Sequence, residues 1–363
     1  MSGIVEVSDA ARLCGGNQFD LRRIGSHPDF WYPLAWSREV KLGKPLARAF
    51  AGEPIVLYRG QSGKVFALED RCAHRQVPLH LGVVEGDGIK CGYHGWKYDC
   101  AGACVDVPYL GREKLPNGVK SYPAREVDGV VFIFPGDPAL AEERALSALG
   151  AASDRRYKTR RLDRTVACHY TFMHENLFDM NHQFLHRRNM GMIRASLLGK
   201  RAGADWCEVD YTFARTAGRQ PLGEAAIMNV ISTNDGNNRG IMTIRTNYPY
   251  QRLRFWTNRD KEGDPALDVW LAYTPLDGRQ RSNRTFGYLS VKKPGIPGLI
   301  HLVWPFVTWF TENIFREDKD IVEHEQRAHD LQGTDWNNEV FPAIRDLREV
   351  LARCGVPPAE AQV

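Results

Sequence analysis

The sequence predicts an α+β protein: an N-terminal antiparallel β domain, then a larger domain of antiparallel sheet with helices on one face. Three observations predict it. Between residues 50 and 135 short β-rich runs alternate with glycine turns, and from Trp206 to Ser290 longer extended segments carry aromatic interruptions. A histidine-rich helical stretch and a carboxy-terminal helical region flank the second set. At 363 residues the chain is about twice a usual domain length, so two cores are expected. The division read from the sequence is an N-terminal segment 1–28, a first domain 29–140, a linker 141–165 and a catalytic domain 166–363.

The first ten residues, Met1 to Ala10, carry neither a basic region nor an apolar run, which predicts no signal peptide and a cytoplasmic protein. With 48 Lys and Arg against 44 Asp and Glu, and no basic block, the charge excludes a nucleic-acid partner. In the first domain the predicted strands are Pro54–Tyr58, Gly63–Leu68, Gly88–Lys90, Trp96–Tyr98 and Gly129–Phe134.

Two loops at the ends of these strands carry Cys72, His74, Cys91 and His94, with sixteen residues between His74 and Cys91. One thiolate and one imidazole from each loop suit a 2Fe-2S cluster of the Rieske type, in which histidines replace two cysteines on one iron. Cys2His2 is also a zinc set, but zinc fingers pair their cysteines and pair their histidines, whereas the order here is Cys-His, Cys-His. Glycines 92 and 95 are expected to let main-chain amides approach the sulfur. The other six cysteines, Cys14, Cys100, Cys104, Cys168, Cys207 and Cys354, show no disulfide framework and read as free thiols.

Residues 154–164 hold six cations and read as a solvated connection or an opening strand rather than a docking patch for an acidic donor. Immediately after it, His174 to His186 fits a helix. At about 100° per residue, Glu175, Asp179, His182 and His186 share a sector about 60° wide, and Leu177, Phe178, Met180, Phe184 and Leu185 oppose them. His182 and His186, one turn apart, suit a single metal ion. Two neutral imidazoles need an anionic third ligand to hold ferrous iron, and the resulting face leaves positions open for dioxygen and substrate.

The stretches Phe30 to Pro33, Arg71 to Arg75 and Cys91 to Trp96, followed by His174 to His186, resemble the oxygenase (alpha) component of Rieske non-haem iron oxygenases over roughly residues 28–352. Ala73 and Gly92 stand where that family often has proline, and three residues separate His182 from His186 where many members have four. The resemblance implies a Rieske domain followed by a helix-grip catalytic domain, with a 2Fe-2S cluster on Cys72, His74, Cys91 and His94 and mononuclear Fe(II) as cofactors. It implies Asp318, from a Glu-Asp pair that opens a helix, as the third iron ligand, with Asp320 and Glu317 as alternatives. It implies that Asp179 bridges the iron site to a cluster histidine of the next subunit in a head-to-tail homotrimer, and that Asn176 supports the ligands from behind.

The remaining predicted strands are Glu208–Phe213, Ala226–Ile231, Met242–Tyr248, Leu253–Trp256, Val269–Tyr273 and Thr285–Ser290. Gly298 to Phe310 is apolar over thirteen residues, too short for a membrane span. It reads as core or pocket wall, or as an entrance for a bulky apolar substrate such as a lipid, terpenoid or fused-ring compound. No glycine fingerprint for a dinucleotide follows any strand, so electrons are expected from a separate ferredoxin or flavin reductase oxidising NAD(P)H. With O2 and a hydrophobic small molecule as co-substrates, monooxygenation (hydroxylation or oxidative demethylation) is the first expectation. The alternatives are a cis-dihydroxylating aromatic-ring dioxygenase and an electron-transfer Rieske protein with no oxygenase activity.

Overall fold

The computed structural model describes residues 20–357 apart from 109, 111–114, 116, 147, 229–239 and 259. Among them, four sheets form, and every pairing between their strands is antiparallel. In the first domain β1 (Tyr32–Trp36), β11 (Val130–Ile133) and β10 (Ala124–Val127) make a three-stranded sheet in the order β1-β11-β10. A second sheet runs β2 (Leu46–Phe50), β3 (Glu53–Arg59), β4 (Val65–Glu69), β9 (Ser121–Tyr122). A third runs β5 (Val83–Glu85), β6 (Gly88–Lys90), β7 (Lys97–Tyr98), β8 (Cys104–Asp106). Strand β3 shows how these share a core. Its successive side chains alternate faces, so Ile55 and Leu57 pack with Tyr32 and Val131, while Val56 and Tyr58 pack with Cys72, Cys91 and Tyr98.

The second domain is built on seven strands in the order β12 (Tyr157–Val166), β18 (Asn283–Lys292), β17 (Leu267–Pro275), β16 (Tyr250–Trp256), β15 (Ile241–Asn247), β14 (Trp206–Ala217), β13 (Met192–Ala202). Every residue of β17 is buried, because both faces of the sheet are covered. On one face Val269, Leu271 and Tyr273 meet the helices; on the other Trp270 and Ala272 meet Trp36, Phe132 and Phe134 of the first domain. The helices are α1 (Tyr170–Phe178), α2 (Arg187–Met190), α3 (Leu222–Met228), α4 (Leu299–Gln332) and α5 (Pro342–Cys354). Helix α4, at 34 residues about 50 Å long, runs past the site from apolar beginning to polar end.

Four expectations are corrected. The stretch 170–187 is not one helix: α1 ends at Phe178, Asp179 is extended, and a 3-10 turn follows from Met180 to Phe184. Asp179, as a short polar side chain, caps that turn through its Oδ1, which accepts the Asn181 N–H at 2.8 Å. Asp318 does not open a helix but lies in the middle of α4. The predicted strand Ala226–Ile231 is helical to Met228, and residues 229–231 lie outside the described residues. The basic stretch read as part of a linker is strand β12 from Tyr157 onward, where Arg160 and Arg164 both pair with Glu312 on α4.

Candidate metal centres

The two Cys-His loops are built alike. Cys72 N–H donates to the Val77 carbonyl at 2.9 Å and Cys91 N–H to that of Trp96 at 2.8 Å, and the fourth residue on, Gln76 or Gly95, donates its N–H back to the cysteine carbonyl. Both closing residues are left-handed, with φ 62° and 70°; only Gly95 meets that need without strain. Gly92 serves a different purpose from the one its sequence context suggests. A Cβ there would stand 2.6 Å from the Leu81 carbonyl oxygen, so the glycine admits a neighbouring backbone segment.

Cys72 and Cys91 are buried, His74 is exposed and His94 half-buried, so the sulfur end of the site faces the core and the imidazole end faces solvent. The imidazole rings lie 4.6 Å apart between centroids, and Trp96 stacks on His74 at 4.8 Å. Burial raises the Cys91 thiol pKa, against which the amides of Tyr93 and His94 stabilise the thiolate. Tyr98 was not foreseen. Its hydroxyl accepts the Ala73 N–H at 3.0 Å, which leaves its own proton for Cys72 Sγ at 3.2 Å. The signal for it was its inward place on β7, two residues after Trp96.

These four donors do not form a zinc set. Tetrahedral zinc needs all four within about 4 Å of one another, and among the described residues the group of three or more donors that converges within 4.8 Å is a different one: His182, His186 and Asp318. Separate cysteine and histidine ends fit a two-iron cluster.

At this second site His186 Nε2 stands 3.2 Å and His182 Nε2 3.7 Å from Asp318 Oδ1. His186 Nε2 is buried yet makes no hydrogen bond, so the three atoms converge on a common point rather than on one another. That is how donors to a shared ion are disposed. Glu317, an alternative ligand on the sequence, lies behind the set: its Oε2 accepts the His186 Nδ1 proton at 2.8 Å, and its Oε1 accepts Asn189 Nδ2 at 2.8 Å. Such a bond fixes the tautomer that presents Nε2 to a metal. Asn176 Nδ2 donates to Asp318 Oδ1 at 3.4 Å. Asp320 is not in the converging group.

Burial opposes the charging of His186, but Asp318 and Glu317 outweigh it and lift the pKa; at His182 burial dominates and lowers it. Glu175, placed by the helical sector beside the histidines, is instead bound to Arg22 and Arg348. The break at Asp179 accounts for this, since it rotates the two halves of the stretch relative to each other.

The ligand set forms one wall of a cavity of about 140 Å³. Its remaining walls are mostly apolar, including Leu177, Met180, Met242, Leu253, Leu289 and Phe310, with Gln183, Glu224 and Thr311 as polar members. Glu224 is held by Arg215 at 2.6 and 2.7 Å, a buried pair unforeseen from sequence because its halves come from β14 and α3. Of the apolar stretch 298–310, only Phe310 reaches this cavity.

Two family models match the chain: the Rieske [2Fe-2S] domain over residues 30–123 and the vanillate O-demethylase oxygenase C-terminal domain over residues 166–343. The chain is 28% identical to the 4beta-methylsterol monooxygenase of Methylococcus capsulatus, over 91% of this chain and 89% of that one. It is 38% identical to the oxygenase component of dicamba O-demethylase from Stenotrophomonas maltophilia, over 44% of this chain and 47% of the relative. The crystal structure of dicamba monooxygenase bound to dicamba superposes with a TM-score of 0.72 at 25% identity, covering 90% of this chain and 97% of that one.

Proposed function

This chain belongs to the Rieske non-haem iron oxygenases as an oxygenase component, and from that premise we propose that it hydroxylates or oxidatively demethylates a hydrophobic substrate on an iron held by His182, His186 and Asp318. The observation that carries the reading is the convergence of those three donors on the wall of an apolar cavity. When bound, the cluster supplies single electrons and the mononuclear iron supplies dioxygen activation.

The chain's own residues prepare the site. Glu317 holds His186 by its Nδ1 proton, Asn176 holds Asp318, and the apolar walls keep water from the reacting carbon. The enclosed space is close to that of an apolar cavity that takes one benzene, about 150 Å³. It suits one ring of an aromatic, terpenoid or lipid substrate, the rest of a bulkier molecule extending toward the mouth. Cys72, His74, Cys91 and His94 hold the cluster. Asp179, half-buried where the helix breaks, bridges the iron site of one subunit to His74 or His94 of the next in a head-to-tail homotrimer, as an electron-transfer and proton-linked residue. Electrons come from a ferredoxin or flavin reductase in the cytoplasm. Residues 29–140 serve as the cluster domain and 166–363 as the catalytic domain.

Anaerobic single turnover tests the reading. Protein reduced beforehand, then given oxygen with a panel of methoxyarenes and methylated sterols or terpenoids, is expected to release a hydroxylated or demethylated product carrying an atom from labelled O2. Unaltered substrate throughout would refute it. NADH alone is expected to support no turnover, and Asp179→Asn to retain both metals while turnover falls about 10²-fold; full activity in that variant would remove Asp179 from the path.

A further inference from the structure

Helix α4 is apolar on two faces in its first half. Ile300, Val307 and Phe310 are buried, whereas Leu302, Phe306 and Trp309, spaced four and three residues apart on a second face, are 74%, 53% and 64% exposed. The exposed stripe is widened at both sides. Ile296, one turn before the helix, is 64% exposed, and Leu222, at the start of α3, is 72% exposed next to Gly223, which lies against Phe306 and Phe310. A soluble face would break such a run with charges, but no Asp or Glu occurs between Lys293 and Thr311.

The charges that border the stripe are cationic. Lys158 Nζ lies 4.8 Å over the Trp304 ring and 2.7 Å from His301 Nδ1. Lys293 Nζ donates to the Arg155 carbonyl, and its charge is felt at Lys158. Arg156 and Lys292 pair directly with the two acids of this corner, Asp154 and Asp264, and Lys293 also acts on Asp154 through space, while Lys158, Lys293 and Arg155 make no direct salt bridge among the described residues, which leaves the corner with more cations than acids. On the other side Glu312 is taken up by Arg160 and Arg164.

We infer that the first half of α4, with Ile296 and Leu222, docks the enzyme onto the surface of an anionic lipid bilayer. An exposed apolar stripe with tryptophan on a helix that has a lysine at its flank, here Lys158 over Trp304, is the composition of a helix that lies in a membrane interface. In a symmetric pair a second copy would set the two cationic borders against each other, whereas anionic headgroups complement them; in a head-to-tail ring the stripe would meet a different face, and the particle mass of the serine variant below reads that case. Among the described residues no helix is long and apolar enough to cross a membrane, and the proposed contact is a peripheral one. The next turns of the same helix, Phe310, Thr311 and Ile314, line the metal-site cavity. A substrate dissolved in the bilayer would therefore meet the enzyme beside its cavity; that consequence rests on the hydrophobic substrate proposed above.

The test is co-sedimentation of the full-length, metal-loaded protein with phosphatidylcholine vesicles with and without phosphatidylglycerol, at low and high salt. The wild type is expected to pellet with the anionic vesicles, less so at high salt. Phe306→Ser with Trp309→Ser is expected to weaken partitioning about tenfold, with the cluster's visible spectrum and the particle mass unchanged. Lys158→Gln with Lys293→Gln, which leaves the helix intact, is expected to weaken binding to anionic vesicles only. A wild type that stays in the supernatant, or a serine variant that pellets equally, overturns the inference. A particle mass that falls in the serine variant also overturns it, because the stripe then covers a second copy. Binding is read without turnover: vesicle binding with no product would spare the docking surface and sink the substrate reading, and product formation without vesicle binding would do the reverse.

Discussion

The cluster loops and the mononuclear site solve the same problem, holding metal donors at fixed spacing, by opposite means. Each cluster loop closes on itself within six residues through two main-chain hydrogen bonds and one left-handed residue, and it places a buried cysteine and a more exposed histidine. The mononuclear site has no such local frame. Its histidines follow a helix break, and their carboxylates come from the middle of α4, 131 residues from His186 in the case of Glu317. A local site is specified by a short motif; a distant one is specified by whatever packs α4 against α1, and its parts are vulnerable separately.

Removing one donor from each site separates the two most sharply. His182→Ala is expected to abolish turnover and to lose the mononuclear iron, with labile sulfide and the visible spectrum of the cluster retained. Metal and sulfide analysis of the purified variant checks it. Loss of the cluster as well would mean that the two sites are one folding unit and that the contrast drawn above is wrong.

The same contrast accounts for what was legible in the sequence. Cys72, His74, Cys91 and His94, and the strands β3, β4, β6, β7 and β11 beside them, follow from short-range patterns. So do His182 and His186 as a pair, since the α-helical spacing of one turn marks them as neighbours, although the structure sets His182 in a 3-10 turn and His186 just after it. Beyond that the sequence carries no distance information. Periodicity placed Glu175 with the histidines because nothing in it marks Asp179 as extended, and Arg22 and Arg348, which hold Glu175, lie far off in the chain. Strand β12 was legible only as an alternative to a solvated connection, because only Tyr157, Leu162 and Val166 are buried in ten residues and nothing in the sequence pairs Arg160 and Arg164 with α4. The residues between Ala226 and Met228 looked extended by their apolar run, but α3 packs that run onto α4 and the cavity.

The next largest effect tests the non-local frame without touching a ligand. Glu317→Gln keeps the size of the side chain but weakens its hold on the His186 Nδ1 proton, and iron affinity is expected to fall about 10- to 100-fold. Competition with a chelator measures it. The cluster should be indifferent, and an unchanged iron affinity would reduce Glu317 to a surface partner of Asn189.

A smaller effect is expected at a buried titratable group on α1. His174 is fully buried on α1, both ring nitrogens lack hydrogen-bond partners, and burial lowers its pKa from 6.5 to about 3. In the native protein it stays neutral well below the pH at which the unfolded chain protonates it. Its contribution is therefore whole above pH 6.5 and is lost as pH falls toward 3. At pH 5 the loss is about 2 kcal/mol. Replacement by Gln removes this proton-linked part, so the stability gap between His174→Gln and wild type should narrow by about 2 kcal/mol between pH 7 and pH 5 in urea titrations. A gap that stays constant would show that His174 gains a proton or a partner on acidification.

The smallest expected effect belongs to the local site, where main-chain geometry leaves little for any one side chain to decide. Tyr98 accepts the Ala73 N–H and offers its hydroxyl proton to Cys72 Sγ, so it senses the charge on the sulfur. An added electron makes that sulfur a better acceptor, and the bond is therefore stronger in the reduced state. Tyr98→Phe removes it while keeping the ring in the core. If the difference between the two redox states is about 1 kcal/mol, the potential falls by about 40 mV, one electron being transferred. Protein-film voltammetry reads the shift directly, and iron at the mononuclear site should be retained in full. A rise in potential would mean that the hydroxyl stabilises the oxidised state more than the reduced one, against its role as donor to the Cys72 thiolate.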